Sequence, residues 1–437
     1  MSVSATPSAT GARSAELYRM ALEVLPGGVN SPVRAMRAIG RDPIFIDRGE
    51  GAELIDVDGN RYIDYVCSWG PLIHGHAHPA VIGAVATALA KGTSFGAPTA
   101  AEVEIARAVS ERIPGVEMLR MTSSGTEATM TAIRLARAAT SRELVLKFSG
   151  AYHGHVDGLL AEAGSGLATQ ALPSSPGVTR DAAAGTVVVP WNDAAALRAA
   201  TDQHDFAAIL AEPLPANMGV VPPAAGFLKL LRERAEENGA LLVLDEVISG
   251  FRVAAGGAQE LAGVTADLTI MGKIIGGGLP AAAVGGRADL MRMLAPAGEV
   301  YQAGTLSGNP LAVAAGLATL ELLDAEAYER LATSTELLAR GLREAADGYP
   351  VQVQSAPGLL TVFFSAHPVT TFEEARSCDL GAYAIWCREL LAHGVYPPAS
   401  QFEAWFPSLA HSNKQIEDTL AAASAAFARL RGSGGER

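Results

Sequence analysis

The stretch that most constrains the fold is an apolar run that ends on an acid, Gly239-Ala240-Leu241-Leu242-Val243-Leu244-Asp245. A continuous apolar run is typical of a central strand in a parallel sheet, because helices cover both faces of such a sheet. Ligands of these sheets bind at the carboxyl ends of the strands. The pattern therefore predicts that Asp245 lies at the edge of a binding site.

A second apolar run, Leu268-Thr269-Ile270-Met271, ends in Gly272-Lys273. One strand end thus supplies a carboxylate and the next supplies an amine. Pyridoxal phosphate requires this pair, since an acid keeps its ring nitrogen protonated and a lysine holds its aldehyde as a Schiff base. Each residue alone has an ordinary explanation, because such an aspartate is commonly a cap or a metal ligand and such a lysine is commonly solvated. The hypothesis therefore needs support from other segments.

The composition indicates a folded protein that acts on small molecules. The chain has 437 residues, 49% of them hydrophobic, which is enough for a large core and two or more domains. Its formal net charge of -13, with no basic stripe, argues against nucleic-acid binding. Three cysteines without C-x-x-C spacing favour a reducing cytoplasm. Residues 1–13 lack the apolar core of a signal peptide, and polar residues interrupt the uncharged run 300–320, so we expect a cytoplasmic protein with no membrane partner.

Alternating helix and strand patterns predict an α/β chain with a largely parallel sheet. The expected helices are 80–91, 101–112, 126–139 and 226–238, and the expected strands between them are 144–148, 186–189 and 207–211. A helix starting at Ser14 and a small antiparallel unit over 44–66, turning at Asp58-Gly59, precede them. After residue 325, helices at 325–346, 380–392 and 414–431 with strands at 351–354 and 359–364 indicate a smaller α+β domain.

The segment Thr122-Ser123-Ser124-Gly125-Thr126-Glu127 opens a helix with hydroxyl groups and a glycine. Free backbone N–H groups and the positive end of the helix dipole make such a start a phosphate site. An ordinary capping box between Ser124 and Glu127 is an equally good interpretation. The segment lacks the G-x-x-x-x-G-K-[ST] pattern, so it is not a nucleotide P-loop.

Several loop residues allow two interpretations each. Arg34 stands among apolar neighbours and pairs either with a surface acid or with a substrate carboxylate. Tyr152 either packs or stacks on a flat ring. The alternate histidines His74, His76 and His78 have no accompanying acids or cysteines, so hydrogen bonds to loop backbone are favoured over a metal site. The long Gly, Ser and Pro-rich connection 151–181 is either disordered or a lid.

Together these segments resemble the class III, fold-type I, pyridoxal-phosphate aminotransferases over nearly the whole chain. The resemblance is strongest to the members that move an amino group within one substrate. Its most specific matches are Pro26-Gly27-Gly28-Val29-Asn30-Ser31-Pro32-Val33-Arg34-Ala35, Ser94-Phe95-Gly96-Ala97-Pro98-Thr99, Asn217-Met218, Gly272-Lys273-Ile274-Ile275-Gly276-Gly277-Gly278 and Tyr301-Gln302-Ala303-Gly304-Thr305-Leu306-Ser307-Gly308-Asn309-Pro310.

The resemblance implies a fold and an activity. A large domain with a mainly parallel sheet (76–324) is expected beside a small α+β domain formed by the N- and C-terminal segments (1–75 and 325–437). The implied reaction converts glutamate 1-semialdehyde to 5-aminolevulinate in tetrapyrrole synthesis, with the cofactor cycling between pyridoxal and pyridoxamine phosphate. A transaminase of an ω- or β-amino acid is the alternative, and a non-catalytic binding protein is a third. Arg34 and the long lid favour the first, and the pair Lys273 and Asp245 speaks against the last.

The resemblance also assigns residues, position by position. The cofactor residues are expected to be Ser124, Gly125, Thr126, Tyr152, Asn217, Asp245, Lys273 and Thr305. The substrate residues are expected to be Ser31, Arg34, Trp69, Ser165 and Glu403, and the catalytic residues Lys273, Asp245 and Glu403. No metal is expected.

Thr305 is expected to reach the phosphate from a second subunit, which implies a homodimer, and residues 152–181 are expected to form a gating loop. Docking with the reductase upstream in the pathway stays open. The chain departs from the family pattern at Ser123, where asparagine is frequent, and at Leu214-Pro215-Ala216, where Val-Ala-Gly is common; the latter change could shift Asn217.

Overall fold

The computed structural model describes residues 11–160 and 175–433. The strands within these ranges are β1 (Ile46–Glu50), β2 (Glu53–Asp56), β3 (Arg61–Asp64), β4 (Met118–Thr122), β5 (Leu144–Phe148), β6 (Thr186–Val189), β7 (Phe206–Ala211), β8 (Leu241–Asp245), β9 (Leu268–Met271), β10 (Ala282–Gly286), β11 (Gln352–Ala356), β12 (Leu359–Phe363) and β13 (Val395–Tyr396).

Helices separate most of these strands. They are α1 (Ala12–Val24), α2 (Pro79–Leu89), α3 (Ala100–Ser110), α4 (Gly125–Thr140), α5 (Arg180–Ala184), α6 (Ala194–Gln203), α7 (Phe227–Asn238), α8 (Gly257–Ala262), α9 (Ala288–Met291), α10 (Pro310–Glu321), α11 (Ala325–Ala346), α12 (Phe372–Arg376), α13 (Leu380–Ala392) and α14 (Asn413–Ser433). In the part of the chain that is described, none of them has both the length and the apolar character that a membrane crossing requires.

A seven-stranded sheet in the order β4-β10-β9-β8-β7-β5-β6 forms the centre of the molecule. Strands β6, β5, β7, β8 and β9 pair in parallel, and β10 runs antiparallel to both β9 and β4. The carboxyl ends of β4, β5, β7, β8 and β9 therefore meet at one edge of the sheet. The predicted parallel α/β architecture is confirmed.

Both faces of the central strands are buried, which explains their continuous apolar sequences. In β8, Leu242 and Leu244 pack on the face covered by α7, and Val243 packs on the opposite face against α4. Each side chain is 0% exposed. Burial of one such side chain contributes about 1.5 to 3 kcal/mol, so this strand is firmly fixed and holds Asp245 in place at its end.

Two smaller sheets accompany the large one. β1, β2, β3 and β13 form the first, and the parallel pair of β3 with β13 joins the N-terminal to the C-terminal segment. β11 and β12 form an antiparallel hairpin. This arrangement agrees with a small α+β unit built from both ends of the chain, while the domain limits at 75 and 324 stay a prediction.

The sequence patterns missed two strands of the large sheet. β10 reads Ala-Ala-Val-Gly-Gly, and alanine and glycine have low strand propensity. The small residues are needed for close packing, because a Cβ on Gly286 would lie 2.2 Å from the carbonyl oxygen of Asp267. β4 is interrupted by Arg120, whose guanidinium donates to the side chain of Gln302. Helices α6 and α10 were missed as well.

The first helix begins earlier than predicted. Ser14 was expected to start it, but the helix begins at Ala12, and the Ser14 hydroxyl accepts a hydrogen bond from the Phe45 backbone N–H at 3.1 Å. The carboxylate of Asp58 caps the helix instead and accepts from the backbone N–H groups of Arg13 and Ser14 at 2.8 and 3.0 Å. These bonds hold the pKa of Asp58 below its usual range. The hairpin turn at Asp58-Gly59 was predicted, but its contact with α1 was not. The two segments are 44 residues apart in the sequence, so no local pattern indicates that they meet.

Replacing Leu244 by alanine tests whether β8 is the core strand that the packing indicates. We expect Leu244→Ala to lower the free energy of unfolding by about 2 to 5 kcal/mol, because it leaves a cavity beside a fully buried strand. Leu241→Ala, at the less buried start of the same strand, is the matched control and should cost less. Urea denaturation followed by circular dichroism measures both. A loss below about 1 kcal/mol for Leu244→Ala would contradict this packing.

Candidate active site

The predicted acid and amine meet at the carboxyl edge of the large sheet. Asp245 ends β8, Lys273 follows β9, and Glu212 follows β7. The three side chains share a cavity of about 210 Å³. Its lining consists of Gly125, Thr126, Thr129, Tyr152, His153, Gly154, Glu212, Asn217, Asp245, Val247, Ile248 and Lys273.

Asp245 is held on both of its carboxylate oxygens. Its Oδ2 lies 2.7 Å from Nδ1 of His153, and its Oδ1 accepts from the backbone N–H of Val247 at 3.0 Å. Both side chains are buried, with Asp245 5% and His153 2% exposed. The short charge-assisted bond fixes the carboxylate at the cavity. His153 adjoins Tyr152 in the sequence, yet nothing local marked it as a partner of Asp245, 92 residues away.

Lys273 has a strained backbone and a perturbed amine. Its φ of 50° lies in the left-handed region, which is uncommon for a residue with a side chain and is found preferentially at functional sites. Burial lowers the pKa of the amine, and the carboxylates of Glu403, Asp245 and Glu212 oppose that effect. The lowered pKa increases the neutral fraction of the amine, which is the form that attacks a carbonyl carbon.

Glu212 is a buried carboxyl that holds Asn217. Its Oε2 accepts from the Asn217 side-chain amide at 2.9 Å and from the Ala216 backbone N–H at 3.0 Å. Burial, followed by the charge of Asp245, raises the pKa of Glu212 to about 8. Glu212 was not among the site residues expected from the sequence.

The start of α4 faces the cavity as predicted for a phosphate site. Gly125 and Thr126 line the cavity, and their N–H groups precede the first helical hydrogen bond, from Ala128 to Ser124. The predicted capping box is only half formed, since the Ser124 hydroxyl accepts from the Glu127 N–H at 3.3 Å but the reciprocal bond to Ser124 is not made. The Glu127 carboxylate caps the backbone of Ser123, at 2.7 Å, rather than that of Ser124.

The loop that carries Tyr152 packs tightly against this helix start. Gly154 has a φ of 85°, and a Cβ there would lie 2.5 Å from the Thr126 hydroxyl, so only glycine fits. Tyr152 lines the cavity and is 38% exposed. Burial raises the pKa of its phenol, and the charges of Glu403 and Asp245 add to that rise. The charge of the buried Glu403 thus acts on both Tyr152 and Lys273.

Three of the predicted substrate residues lie at two turns. Trp69 belongs to the strained turn Cys67–Trp69, and Ser31 and Arg34 belong to the turn around Pro32–Ala35. Cys67, Ser68 and Trp69 all have positive φ, between 44° and 62°. Trp69 lies under the guanidinium of Arg34, 5.7 Å from the ring centroid, in a cation–π contact. Among the described residues no carboxylate lies within 4 Å of Arg34, so the surface ion pair is not formed and this exposed cation remains available. Ser31 directly precedes the short helical turn Pro32–Ala35, which contains Arg34.

Two buried charges hold that turn from opposite ends. Asp64 accepts from the backbone N–H of Cys67 at 3.1 Å, and Arg252 donates to the carbonyl oxygen of Gly70. Arg252 is 0% exposed and also donates to the carbonyls of Gly358 and Pro407. Burial lowers its pKa to about 10. The sequence analysis did not identify Arg252, whose partners are 106 to 182 residues away.

Two predicted residues remain outside this cluster. Thr305 is exposed on the surface and does not line the cavity of its own chain. Ser165 and the central part of the predicted gating loop, residues 161–174, lie outside the described residues.

Two of the three alternate histidines form hydrogen bonds with different partners. Nε2 of His74 lies 3.0 Å from the Thr319 carbonyl oxygen, in helix α10 rather than in a loop, and Nε2 of His76 lies 2.8 Å from the buried Asp64 carboxylate. They line a different cavity, of about 630 Å³. Within residues 11–160 and 175–433, no group of three or more His, Cys, Asp or Glu side chains is arranged to hold a metal ion.

Pyridoxal phosphate fits the residues of the smaller cavity. The α4 start offers N–H groups to a phosphate, Asp245 offers an acceptor to a protonated ring nitrogen, and Lys273 offers an amine to an aldehyde. Three buried polar atoms in this lining, Oε1 of Glu212, Oγ1 of Thr129 and Nε2 of His153, have no hydrogen-bond partner among the described residues. A polar ligand would satisfy such atoms, which are rarely left without partners.

Comparisons with known proteins agree with this site. The model of the family "Aminotransferase class-III" matches residues 36–427. The chain belongs to the class-III aminotransferases. A curated relative from Thermomicrobium roseum, glutamate-1-semialdehyde 2,1-aminomutase, is 54% identical over 422 residues, which cover 95% of this chain and 98% of the relative. The family assigned from the sequence is therefore confirmed.

Solved structures of two kinds of enzyme share the fold. An ω-transaminase from Sphaerobacter thermophilus has a TM-score of 0.88 and 33% identity, with 96% of this chain and 98% of that chain covered. A glutamate-1-semialdehyde-aminomutase variant from Pseudomonas aeruginosa PAO1, in complex with PMP, has a TM-score of 0.84 and 27% identity, with 96% and 94% covered. The fold is thus common to transaminases and aminomutases, and it does not separate them.

The bond between His153 and Asp245 can be tested through stability. We expect His153→Ala to lower the free energy of unfolding by about 1 to 3 kcal/mol, because it leaves a buried carboxylate oxygen without its donor. His155→Ala, two residues on and exposed, should change it by less than about 0.5 kcal/mol. Thermal and urea unfolding of both variants give the comparison. Equal stability of the two variants would mean that the bond to Asp245 contributes nothing.

Proposed function

We propose that this protein is a pyridoxal-phosphate enzyme that converts glutamate 1-semialdehyde to 5-aminolevulinate by moving an amino group within the substrate. The observation that carries the proposal is the pairing of Lys273 and Asp245 at adjacent strand ends, in a chain 54% identical to a curated aminomutase. When bound, the cofactor supplies an aldehyde that takes up and returns an amino group and a ring that withdraws electrons.

Different residues of the cavity bind different parts of the cofactor. The N–H groups of Gly125 and Thr126 bind the phosphate at the start of α4. Asp245, fixed by His153, accepts the ring N–H and keeps the ring positively charged. Tyr152 and Val247, which both line the cavity, would pack against the flat ring. Asn217 donates to the ring hydroxyl group.

Lys273 binds the aldehyde and transfers protons between the substrate carbon atoms. Its lowered pKa makes the neutral amine accessible, so this nitrogen would hold the cofactor aldehyde in the resting site and, when substrate has displaced it, would act as the free base. The charge of Glu403 opposes the lowering of the Lys273 pKa, and we assign Glu403 to the substrate ammonium groups. The carboxylates of Glu403 and Asp245 therefore stabilise positive charge on the amino group, whether it belongs to Lys273 or to the substrate.

Arg34 binds the substrate carboxylate. Its guanidinium lies over Trp69 and has no acidic partner among the described residues, so it can form a bidentate bond with a carboxylate. Ser31, at the start of the same turn, is assigned to the same group. The neighbouring turn Cys67–Trp69, whose Trp69 ring lies under Arg34, is held by Asp64 and Arg252.

A transaminase of an ω- or β-amino acid is the second candidate. The ω-transaminase structure favours it, since its TM-score and identity exceed those of the aminomutase structure. The 54% identity to the curated aminomutase, over almost all of both chains, outweighs the 33% identity to that transaminase. The two reactions differ in one requirement, because a transaminase needs a second amino acid or oxo acid.

Supplying glutamate 1-semialdehyde alone separates the candidates. We expect the cofactor-loaded protein to form 5-aminolevulinate with no amino donor or oxo acid added. Lys273→Ala should still bind the cofactor but lower the rate by about 1000-fold or more, because the covalent anchor and the proton carrier are lost together. Lys229→Ala, exposed on α7, should leave the rate unchanged. Product formation only after addition of an amino donor would refute the aminomutase assignment.

We also propose that the protein is a homodimer. Helix α2 has an uncharged, mostly apolar sequence with no buried residue, and Ile82 and Leu89 are 54% and 52% exposed. Phe95, Tyr301 and Leu306 are exposed too, and the Asn309 amide connects their segments by donating to the Thr93 carbonyl at 2.9 Å. We define α2, Phe95, Tyr301 and Leu306 as the apolar face. An exposed patch of this kind is typical of a subunit interface.

A second copy on the apolar face would explain the position of Thr305. This residue precedes Leu306 on that face and is remote from the cavity of its own chain, so we assign it to the phosphate site of the partner. We place the dimer in the cytoplasm, where its three buried, unpaired cysteines would stay reduced. Docking with an upstream reductase stays a prediction.

A charge on the apolar face tests the dimer. We expect Ile82→Glu to raise the dimer dissociation constant by roughly 100-fold or more, because two-fold symmetry buries the unpaired charge twice. Leu261→Glu, equally exposed on α8 at 59%, should have no effect. Sedimentation velocity measures association, and the activity of each species is assayed in parallel. A fully active monomer would refute the role of Thr305.

A further inference from the structure

The exposed segment 301–305 is held by side chains from other elements rather than by its own backbone. Tyr301 is 71% exposed, and Thr305 at the end of the segment is exposed as well. Among the described residues, no backbone hydrogen bond joins residues 301–303 to another segment. The backbone alone therefore gives this segment little to keep it in one conformation, because ordering each residue costs conformational entropy.

Two arginines supply the missing bonds. Nη1 of Arg134 donates to the carbonyl oxygen of Tyr301 at 2.8 Å, and Nη1 of Arg120 donates to Oε1 of Gln302 at 2.8 Å. The second guanidinium also donates to the carbonyl oxygen of Ala295 at 2.9 Å. In the part of the chain that is described, neither arginine has a carboxylate within 4 Å. Both guanidinium groups are therefore used to hold this segment and the chain just before it.

The two arginines belong to the elements that form the phosphate site of their own chain. Arg120 lies in β4, which leads into the start of α4, and Arg134 lies on α4 nine residues after Gly125. Nine helical residues span about 13 Å along the axis. The neighbours of Arg134 in α4, Ile133 and Leu135, are buried and fix the helix to the core. A rigid unit thus has a phosphate site at one end and a support for the segment 301–305 further along.

We propose that Arg134 and Arg120 are positioning residues, which fix the segment 301–305 so that Thr305 is presented to the phosphate site of a second copy of the chain. This role rests on the proposed homodimer and on the role proposed for Thr305. A segment that is already ordered loses less conformational freedom when it binds, so the two bonds increase the affinity of the partner site for the cofactor phosphate. Arg134 therefore acts on the site of the partner, although its helix begins at the site of its own chain.

Two arginines of the same helix allow a matched test. Arg134→Met removes the donor and keeps much of the aliphatic length. Arg137→Met is the control, because Arg137 is also exposed on α4 and donates to a backbone carbonyl, that of Glu143, at 2.8 Å. We expect the dissociation constant of pyridoxal phosphate to rise about tenfold for Arg134→Met, the effect of one hydrogen bond from a charged group, and to change less than about twofold for Arg137→Met. Equilibrium dialysis measures binding without turnover.

Two further variants check the contact itself. Arg134→Lys retains a donor and should restore most of the affinity. Gln302→Leu removes the acceptor of Arg120 from the other side of the contact and should weaken cofactor binding as Arg134→Met does. Sedimentation velocity and thermal unfolding of each variant establish that the dimer still forms and that the chain is folded.

Mixed dimers show which of the two sites depends on Arg134. One chain carries Lys273→Ala, so only the other chain can form the Schiff base, whose visible absorbance reports the loading of a single site. With Arg134→Met on the Lys273→Ala chain, the reporting site receives Thr305 from the altered chain, and its affinity should fall about tenfold. With Arg134→Met on the reporting chain, the affinity should stay within about twofold of the wild type. Loss of stability or of positive charge near the phosphate of the same chain would not produce this asymmetry.

Thr305→Ala in the same two arrangements is the reference. A loss of affinity only when Arg134→Met is on the reporting chain, an equal loss in both arrangements, or no loss in either would overturn the proposal. If Thr305→Ala weakens the partner site and Arg134→Met does not, the positioning role alone is refuted. If Thr305→Ala has no effect in either arrangement, the role proposed for Thr305 is refuted, and this inference with it.

Discussion

The alignment of parallel strand ends is the constraint on which the active site depends. Strands β7, β8 and β9 pair in parallel, so Glu212, Asp245 and Lys273 reach one edge from residues that are far apart in the sequence. Both faces of these strands are buried, and the resulting rigidity fixes the distance between the acid and the amine. The chemistry assigned to the protein needs that fixed distance, because one rigid ring must reach both groups.

The sequence was sufficient for the residues that follow a strong local pattern. Asp245 and Lys273 terminate apolar runs, and Gly125 and Thr126 start a helix, so elementary rules for strands and helix caps locate them. The roles of His153, Glu212 and Arg252 could not be predicted, because they depend on partners outside the local sequence segment of each residue. Strand β10 was missed for a similar reason, since close packing at Gly286 rather than strand propensity determines its composition. Strand β4 was missed because Arg120 interrupts its apolar sequence.

Strained backbone and buried charge occur together next to Lys273. Lys273 itself has a left-handed backbone, and the turn Cys67–Trp69 has three such residues in succession. This turn adjoins Lys273, because a Cβ on the following Gly70 would lie 3.4 Å from Cδ of Lys273. Asp64 and Arg252 hold that turn through backbone bonds from a second and a third segment. The small C-terminal unit contributes the Gly358 and Pro407 carbonyls to Arg252, so it helps to position the turn that carries Trp69.

Borohydride reduction followed by peptide mass mapping tests most directly whether this edge of the sheet holds the cofactor. The protein is loaded with pyridoxal phosphate, reduced and digested, and the modified lysine is identified. The geometry predicts one stoichiometric label on Lys273, with Lys91, Lys147, Lys229 and Lys414 unmodified. A label on any of those four, or the absence of a stoichiometric label, would contradict the assignment of Lys273 and Asp245 as the cofactor pair.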